Sequence, residues 1–164
     1  MMRPHDATGV HAMTTIVRLA RPTDAERIAE FNRCLAEESE SKHLAAEVVL
    51  AGVRALFANP QHGRYYVAER GGEIVGQLLV TFEWSDWRNG LFWWIQSVYV
   101  APGDRRSGVF STIYKHVARL AEQDPSVCGL RLYVEDENVR AQRAYAALGM
   151  SNAGYRVMEL EFEC

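Results

Sequence analysis

A glycine-containing turn joins a strand to a helix between residues 95 and 110, and this segment constrains the fold more than any other. β-Branched and aromatic residues run up to Val100, turn formers follow, and helical spacing begins near Ser107. The first N–H groups of a helix have no partner within the helix and lie at the positive end of its dipole. The segment therefore predicts a phosphate site, because a phosphate accepts several such bonds at once.

Three side chains of the turn bear on this prediction. Gly108 allows the backbone to approach a ligand closely. Arg105 and Arg106 add positive charge and fork-shaped donors that suit a pyrophosphate. For the arginine pair alone, a basic surface loop is an equal alternative, whereas the glycine and the strand-to-helix context favour a binding site.

A second helix is predicted between Asn138 and Gly149. Asn138 is a favoured N-cap residue, and glycine is the favoured residue just past a helix end. Asn138 and Tyr145 are two turns apart and lie on one face, with only the small Ala141 between them. On this helix alone Tyr145 has two interpretations, either a core residue of an amphipathic helix or a side chain that faces a ligand.

Together the two segments resemble the GCN5-related N-acetyltransferase (GNAT) superfamily, and the likeness extends from about Thr15 to Cys164. That family's phosphate turn, Gln/Arg-x-x-Gly-x-Gly/Ala, places its first residue at Arg105 and its first glycine at Gly108. Its last small residue falls on Phe110, which departs from the pattern. We expect an apolar helix stripe to turn this phenyl ring toward the sheet and leave the backbone N–H available. The stripe consists of Phe110, Ile113, Val117 and Leu120.

The family's second motif, Asn-x-x-Ala-x-x-x-Tyr before a glycine stop, is met by the second helix. The resemblance implies a mixed, mostly antiparallel α/β sheet with flanking helices and a splayed, bulged strand at an acetyl-CoA site. It also implies that the pantetheine arm pairs with open strand backbone at Val98 and Val100. The residues expected to bind acetyl-CoA, the cosubstrate, are Val98, Tyr99, Val100, Arg105, Arg106, Ser107, Gly108, Val109, Phe110, Asn138 and Tyr145.

Amide formation requires a neutral amine, yet a primary amine with a pKa near 10.4 is mostly protonated at pH 7. Backbone N–H groups near Val98 are expected to stabilise the oxyanion of the tetrahedral intermediate. The leaving thiolate then needs a proton, and the resemblance implies that the Tyr145 hydroxyl supplies it. The predicted reaction is direct attack in a ternary complex.

The general base is harder to assign. Several family members use a glutamate on the bulged strand, but Trp94 and Gln96 stand near that place and neither accepts a proton. We therefore expect a water chain to Glu83 or Asp86. The alternative for both carboxylates is ordinary solvated charge.

All four tryptophans lie within the eleven residues from Trp84 to Trp94. An aromatic wall with nearby carboxylates suits a cationic or aromatic amine. We assign Trp84, Trp94 and Gln96 to substrate binding, and expect Trp93 and Trp94 to face opposite sides of their strand. The predicted acceptor is a small-molecule primary amine, with a protein amino group as the rival.

Composition limits the other functions. A chain of 164 residues with 48% hydrophobic content can bury one core, and a net charge of −3 argues against nucleic-acid binding. The three cysteines lack C-x-x-C spacing, so we expect neither a disulfide framework nor a zinc site, no metal, and a cytoplasmic location. Residues 1–12 contain no apolar run, so we expect neither a signal peptide nor a membrane anchor in them.

The domain prediction is a disordered extension at residues 1–13 and one domain at residues 14–164. Thr23 to Glu26 has the form of a capping box at the start of a helix. The alternation near residues 155–162 predicts a last strand. That strand leaves a homodimer and a charge-protected monomer as open alternatives. We predict an acetyl-CoA-dependent N-acetyltransferase; the alternative is a non-catalytic acyl-CoA-binding sensor.

Overall fold

The computed structural model describes residues 14–162, and the extension predicted at residues 1–13 lies outside the described residues. The chain divides into two compact units, of which the first ends at Leu132 and the second begins at Tyr133. The single domain expected at residues 14–164 stays a prediction.

The described part of the first unit forms a five-stranded sheet with three α-helices. Its sheet order follows the chain, β1-β2-β3-β4-β5, with antiparallel neighbours except for the parallel β4–β5 pair. The predicted mixed, mostly antiparallel α/β fold is confirmed. The elements are β1 (Ile16–Leu19), α1 (Ala25–Glu40), α2 (Ala46–Ala58), β2 (Gly63–Arg70), β3 (Glu73–Ser85), β4 (Gly90–Val100), α3 (Val109–Gln123) and β5 (Val127–Leu132).

Helices cover both faces of this sheet. Gly76 and Gln77 are neighbours on β3 and therefore face opposite sides. A Cβ atom at position 76 would lie 2.8 Å from Cγ1 of Val109, so α3 approaches closely because glycine stands there. On the other face Gln77 bonds to Asn32 of α1. This arrangement places the β3–β4 pair between α1 and α3.

The core between α1, α2 and the sheet is apolar. Ile28 of α1 and Val67 of β2 are completely buried, and Val53 of α2 belongs to the same cluster. Full burial of side chains of this size contributes about 1.5–3 kcal/mol each. The two-residue turn Gly71-Gly72 joins β2 to β3 and has positive φ at both positions, 55° and 85°, a conformation that glycine adopts readily.

The start of α1 corrects one local prediction. The helix forms, but the capping box at Thr23 to Glu26 is wrong, because Asp24 precedes the helix and makes no side-chain capping bond. Its carboxylate instead accepts hydrogen bonds from Arg18 at 2.7 Å and from the Arg21 N–H at 2.6 Å. Burial opposes the charge, yet these bonds hold the pKa of Asp24 below its ordinary value. The Asp24 carboxylate is thus bonded to Arg18 and to the Arg21 N–H, and it makes no bond to the N–H groups at the start of α1.

The second unit contains the helix α4 (Val139–Ala147). Residues 155–162 form no regular strand, so the predicted last strand is wrong. Met158 and Leu160 are exposed by 94% and 78%. Alternation fits a half-buried strand, but a strand also requires a neighbour for its backbone bonds and a layer to cover its apolar face.

Candidate active site

Strand β4 carries a bulge. Gln77 pairs with Tyr99 and Leu79 with Gln96, so a step of two residues on β3 matches three on β4. The additional residue lies at Ser97, whose φ of 47° is in the left-handed region that serine rarely adopts. The structure thus confirms the bulged strand implied by the resemblance.

β4 also extends beyond its parallel neighbour. The β4–β5 pairing runs from Leu91 to Ile95 on β4, whereas β4 itself continues to Val100. Residues 96–100 therefore have an outer edge that β5 does not pair. An extended ligand can add to such an edge through backbone bonds.

The backbone alternation fixes which residues face that outer edge. Ala101 donates its N–H to the Val75 carbonyl at 2.8 Å, so Ala101 and Tyr99 face β3. Val98 and Val100, the residues predicted to meet the pantetheine arm, then face away from β3. The Val100 carbonyl accepts a 2.9 Å bond from Nε of Arg105.

The turn after β4 ends at the N-terminus of α3. Gly108 precedes the helix with φ 84°, and its carbonyl accepts the first helical bond, 3.0 Å from the Thr112 nitrogen. The N–H groups of residues 109–111 precede this first bond and lie at the positive end of the helix. This backbone fits a pyrophosphate, because its donors converge and no Cβ atom stands at Gly108.

Arg70 at the end of β2 holds the turn in place. Its guanidinium donates to Oγ of Ser107 at 2.7 Å and to the Ser107 carbonyl at 2.9 Å. It also bonds to Asp104 at 3.2 Å and to Oγ1 of Thr15 at 2.7 Å. The path of the backbone into Gly108 is therefore set by a residue from another strand.

Arg105 and Arg106 differ in their surroundings. Arg105 donates to Oε2 of Glu38 at 2.6 Å and lies over the Tyr99 ring at 5.2 Å. The Tyr99 hydroxyl donates to the same carboxylate at 2.7 Å, and this bond, with that from Arg105, lowers the pKa of Glu38. Burial and the Glu38 contact raise the pKa of Tyr99. Arg106 is exposed and has a φ of 62°.

The expected position of Phe110 in the apolar stripe is wrong. Phe110 is half-buried and its ring packs beside Tyr114, with centroids 6.0 Å apart. Because α3 begins at Val109, an i, i+4 ladder starting there supplies the buried face instead. The Phe110 N–H still precedes the first helical bond. The buried residues of α3 are Val109, Ile113, Tyr114, Val117 and Ala121.

On the α1 side of the sheet, Glu83 links two strands. Oε2 accepts a bond from the indole N–H of Trp94, and Oε1 accepts one from Arg131 of β5 at 2.7 Å. The Arg131 guanidinium stacks over Phe92 at 3.7 Å. A carboxylate has about four acceptor positions, so Glu83 retains the capacity to accept a bond from water.

The remaining predicted acceptor residues are divided between the two faces. Gln96 lies on the same face as Trp94 and donates to Oγ1 of Thr81 at 2.6 Å. Trp84 is on the opposite face because it is one residue away from Glu83 on β3. Asp86 lies in the exposed turn after β3 and accepts the Trp87 N–H at 2.9 Å.

Trp93 and Trp94 face opposite sides, as expected for neighbours on a strand. Trp93 is buried and packs edge-on against Phe82, with ring centroids 5.9 Å apart. Trp94 is half-buried on the α1 side. The two tryptophans therefore serve different faces.

Within the second unit, Asn138 caps α4 by accepting the Ala141 N–H at 3.0 Å. The helix ends with bonds from Gly149 to the Ala146 carbonyl and from Met150 to the Tyr145 carbonyl, and Gly149 has φ 90°. This pattern is a Schellman motif, and it confirms the predicted cap and stop. Ala141 and Tyr145 are both half-buried, as expected for one face of the helix.

Sequence reasoning missed two residues that shape the bulge and the turn. Gln77 stands in the apolar run from Ile74 to Val80, and a single polar residue there was a usable signal. Arg70 lies beside Gly71-Gly72 and resembles an ordinary solvated turn residue. Nothing in its neighbourhood along the chain indicates Ser107 as its partner.

Within residues 14–162, no group of three or more His, Cys, Asp or Glu side chains is placed to hold a metal ion. Over the same residues, no helix combines the length and apolar character needed to cross a bilayer.

A bulged strand whose outer edge β5 leaves unpaired, followed by a helix that begins just after a glycine, is typical of α/β proteins with a GNAT-type fold. Residues 25–150 match the sequence model of the Acetyltransferase (GNAT) family. The chain belongs to this family.

Individual relatives agree with this assignment. A possible acetyltransferase from Clostridium difficile 630 is similar at 41% identity and a TM-score of 0.86, over 92% of this chain and 99% of that one. The thialysine N-epsilon-acetyltransferase of Bos taurus is 40% identical over 49% of this chain and 46% of that protein. The chain thus spans about half the length of this curated relative.

A more distant structure shows the fold alone. The ribosomal-protein-alanine N-acetyltransferase of Brucella melitensis biovar Abortus 2308 has a TM-score of 0.74 at 15% identity. The match covers 92% of this chain and 100% of that one.

Proposed function

We propose that the protein is an acetyl-CoA-dependent N-acetyltransferase that moves an acetyl group to a primary amine by direct attack in a ternary complex. The observation that carries the proposal is the bulged β4, whose outer edge beyond Ile95 is not paired by β5 and leads into the N-terminus of α3. These two features supply backbone donors for an extended arm and for a pyrophosphate.

The chain's residues divide this task. Val98 and Val100 offer strand backbone to the pantetheine arm, with the Val98 N–H serving the oxyanion of the tetrahedral intermediate. The N–H groups that follow Gly108 offer donors to the phosphates. Arg105, Arg106 and Ser107 belong to the same turn. Acetyl-CoA supplies the activated acetyl group when bound.

Two proton transfers complete the proposal. Glu83 removes a proton from the amine through water, because it shares a face with Trp94 and Gln96 and retains acceptor capacity. Tyr145 protonates the leaving thiolate, a role supported by the family motif in which it stands. Asp86 is the second candidate for the base.

The acceptor is proposed to be a small molecule with a primary amine. The bovine relative is named for transfer to thialysine, which supports an amino acid with a side-chain amine as the first class to try. Trp94 and Gln96 would line the acceptor side, and Trp84 is left out because it lies on the other face. A protein amino group is the rival acceptor.

Acceptor-dependent thiol release is the direct test. Purified protein is incubated with acetyl-CoA across pH 6 to 9. The acceptors tested are thialysine, lysine, aminoglycosides and a lysine peptide, and the acetylated products are identified by mass spectrometry. We expect release above the acceptor-free rate with at least one small amine. Tight acetyl-CoA binding without turnover of any acceptor would contradict the enzyme and favour the acyl-CoA sensor.

The proposal also covers location and assembly. Cys34 and Cys128 are free thiols, which supports a reducing cytoplasm. The exposed Met158 and Leu160 support a homodimer that covers them. Light scattering should give twice the monomer mass, and a monomer at all concentrations would contradict the dimer.

A further inference from the structure

Gln77 is a completely buried amide within the central strand β3, with 0% exposure. Among residues 14–162, Asp24 is the only other buried polar or charged residue. Asp24 has its charge partner in Arg18. The burial of Gln77 must therefore be explained by the bonds of its own amide.

Both protons of the Gln77 amide nitrogen are used. Nε2 donates to Oδ1 of Asn32 at 2.6 Å and to the carbonyl of Ser97 at 3.2 Å. Asn32 in turn donates to the Tyr65 hydroxyl at 2.9 Å. The chain of bonds runs from β2 through α1 and β3 to the bulge, and we call these four residues the bulge clamp.

The clamp acts on the residue with the unusual backbone. Ser97 holds a left-handed φ, which costs free energy and persists only where surrounding contacts enforce it. The Gln77 amide supplies such a contact from β3, on the inner side of the bulge. The bulge is therefore held by a side chain as well as by the strand ladder.

The geometry of the peptide bond extends this effect to Val98. The Ser97 carbonyl and the Val98 N–H belong to one peptide unit, and the chain contains no cis peptide bond within the described residues. In a trans unit these two groups point in opposite directions. Because the carbonyl points to Gln77, the Val98 N–H points away from it, toward the outer edge of β4.

We propose that Gln77 is a positioning residue that aims the Val98 N–H at the oxyanion formed during acetyl transfer. This inference rests on the proposed function, in which that N–H is the oxyanion donor. A donor in an oxyanion site must be held rigidly where charge develops, because its advantage over water lies in preorganisation.

Stability and activity, measured together, distinguish this role of Gln77 from a purely structural one. Oε1 of Gln77 is buried and has no hydrogen-bond partner among the described residues. Gln77→Met removes this unsatisfied acceptor but also the two bonds that Nε2 donates, so the gain and the loss of stability offset each other in part. The clamp thus predicts that Gln77→Met lowers activity far more than it changes stability.

The main test compares Gln77→Met with Leu78→Met. Leu78 is also completely buried on β3 but faces the opposite side, so the second variant controls for a new methionine in the strand. We expect Gln77→Met to keep a melting temperature close to that of the unchanged protein and a KM for acetyl-CoA within twofold of its value. The kcat should fall about 10²-fold, the usual loss for one oxyanion donor. Equal kcat losses in both variants would overturn the proposal.

A second measurement does not depend on turnover. In ¹⁵N-labelled protein, Gln77→Met should shift the Ser97 and Val98 amide resonances and abolish the Val98 shift that acetyl-CoA causes in the unchanged protein. If no amine is acetylated but these shifts behave as stated, the proposed function fails and the clamp stands. Val98 resonances unaffected by Gln77→Met would contradict the clamp itself.

Asn32→Ala provides a variant that leaves Gln77 in place. It removes the acceptor that orients the Gln77 amide, so we expect a smaller loss of kcat, about tenfold, again with KM for acetyl-CoA unchanged. If Gln77→Met does not fold, this variant decides the matter. A kcat equal to that of the unchanged protein would overturn the proposal.

Discussion

Arg70 and Ser107 are joined by two hydrogen bonds, one from the guanidinium to the serine Oγ at 2.7 Å and one to its carbonyl at 2.9 Å. Ser107 immediately precedes Gly108, so these bonds fix the backbone that enters α3. Arg70→Ala removes both, so the turn must be ordered when the ligand binds, and we expect acetyl-CoA affinity to fall about tenfold, which corresponds to about 1.4 kcal/mol.

Titration calorimetry with acetyl-CoA checks this prediction. Arg54→Ala is the matched control, because Arg54 is exposed and pairs with Glu26 on the surface. The same affinity loss in both variants would mean that net charge, and not the held turn, is responsible.

Gly108 tests the backbone conformation at the start of α3. Its φ is +84°, and no atom lies within 4 Å of a Cβ atom built there. Gly108→Ala should therefore destabilise the fold by about 1–2 kcal/mol through the left-handed backbone and not through a clash. Asparagine should be tolerated better than alanine.

Thermal unfolding measures this effect. Gly103→Ala is the control, because a Cβ atom there also meets no neighbour and no positive φ applies. Equal melting temperatures for the two alanine variants would remove the conformational argument.

The sequence was sufficient for the fold where the signal is local. Gly71-Gly72 between two runs rich in β-branched and aromatic residues predicts a hairpin because a two-residue turn needs positive φ. The predicted last strand is wrong for the opposite reason. Met158 and Leu160 alternate with polar residues as a strand requires, but pairing depends on a strand far away along the chain, and both side chains are exposed. Alternation states which face a strand would bury, not whether a neighbour is there.

The same distinction applies to the site. Gly108 was predictable because a helix N-terminus and its preceding turn are local features. Arg70 meets Ser107 across 37 residues, and Gln77 meets Ser97 across 20. Those contacts exist because sheet pairing brings separate strands together, and no spacing along the chain reports them.

His116 on α3 gives a prediction about pH. Its ring packs against Tyr66, with centroids 5.9 Å apart, and burial, with the charge of Arg119, lowers the pKa of His116 below its ordinary 6.5. The unfolded chain therefore binds a proton more readily than the folded one. The free energy of unfolding therefore has its full value above about pH 6.5, as far as His116 is concerned. It decreases as the pH falls toward the lower pKa of His116 in the folded protein.

The variant His116→Gln removes this titration. Its free energy of unfolding in urea should change less between pH 7 and pH 5 than that of the unchanged protein. His43→Gln is the control, because His43 is exposed. An identical pH dependence in the His116 variant and the unchanged protein would contradict the prediction.

Tyr145→Phe tests the proposed acid. Loss of the hydroxyl removes the proton for the leaving thiolate, and we expect kcat to fall 10²- to 10⁴-fold with little change in KM for acetyl-CoA, a range typical of general acids. Tyr155→Phe is the control because Tyr155 is 80% exposed. Unchanged steady-state kinetics in the Tyr145 variant would exclude the assigned role.

Glu83→Gln separates a base from a side chain that only holds its neighbours. Glu83 accepts bonds from Trp94 and from Arg131 at 2.7 Å, so a loss of activity alone has two explanations. If Glu83 accepts the amine proton, kcat should fall at pH 7 and recover substantially toward pH 9, where more of the amine is already neutral. A loss through misplaced Trp94 would be equal at every pH. Asp86→Asn, measured in the same pH series, should retain activity, and a pH-rescued defect in that variant instead would transfer the base to Asp86.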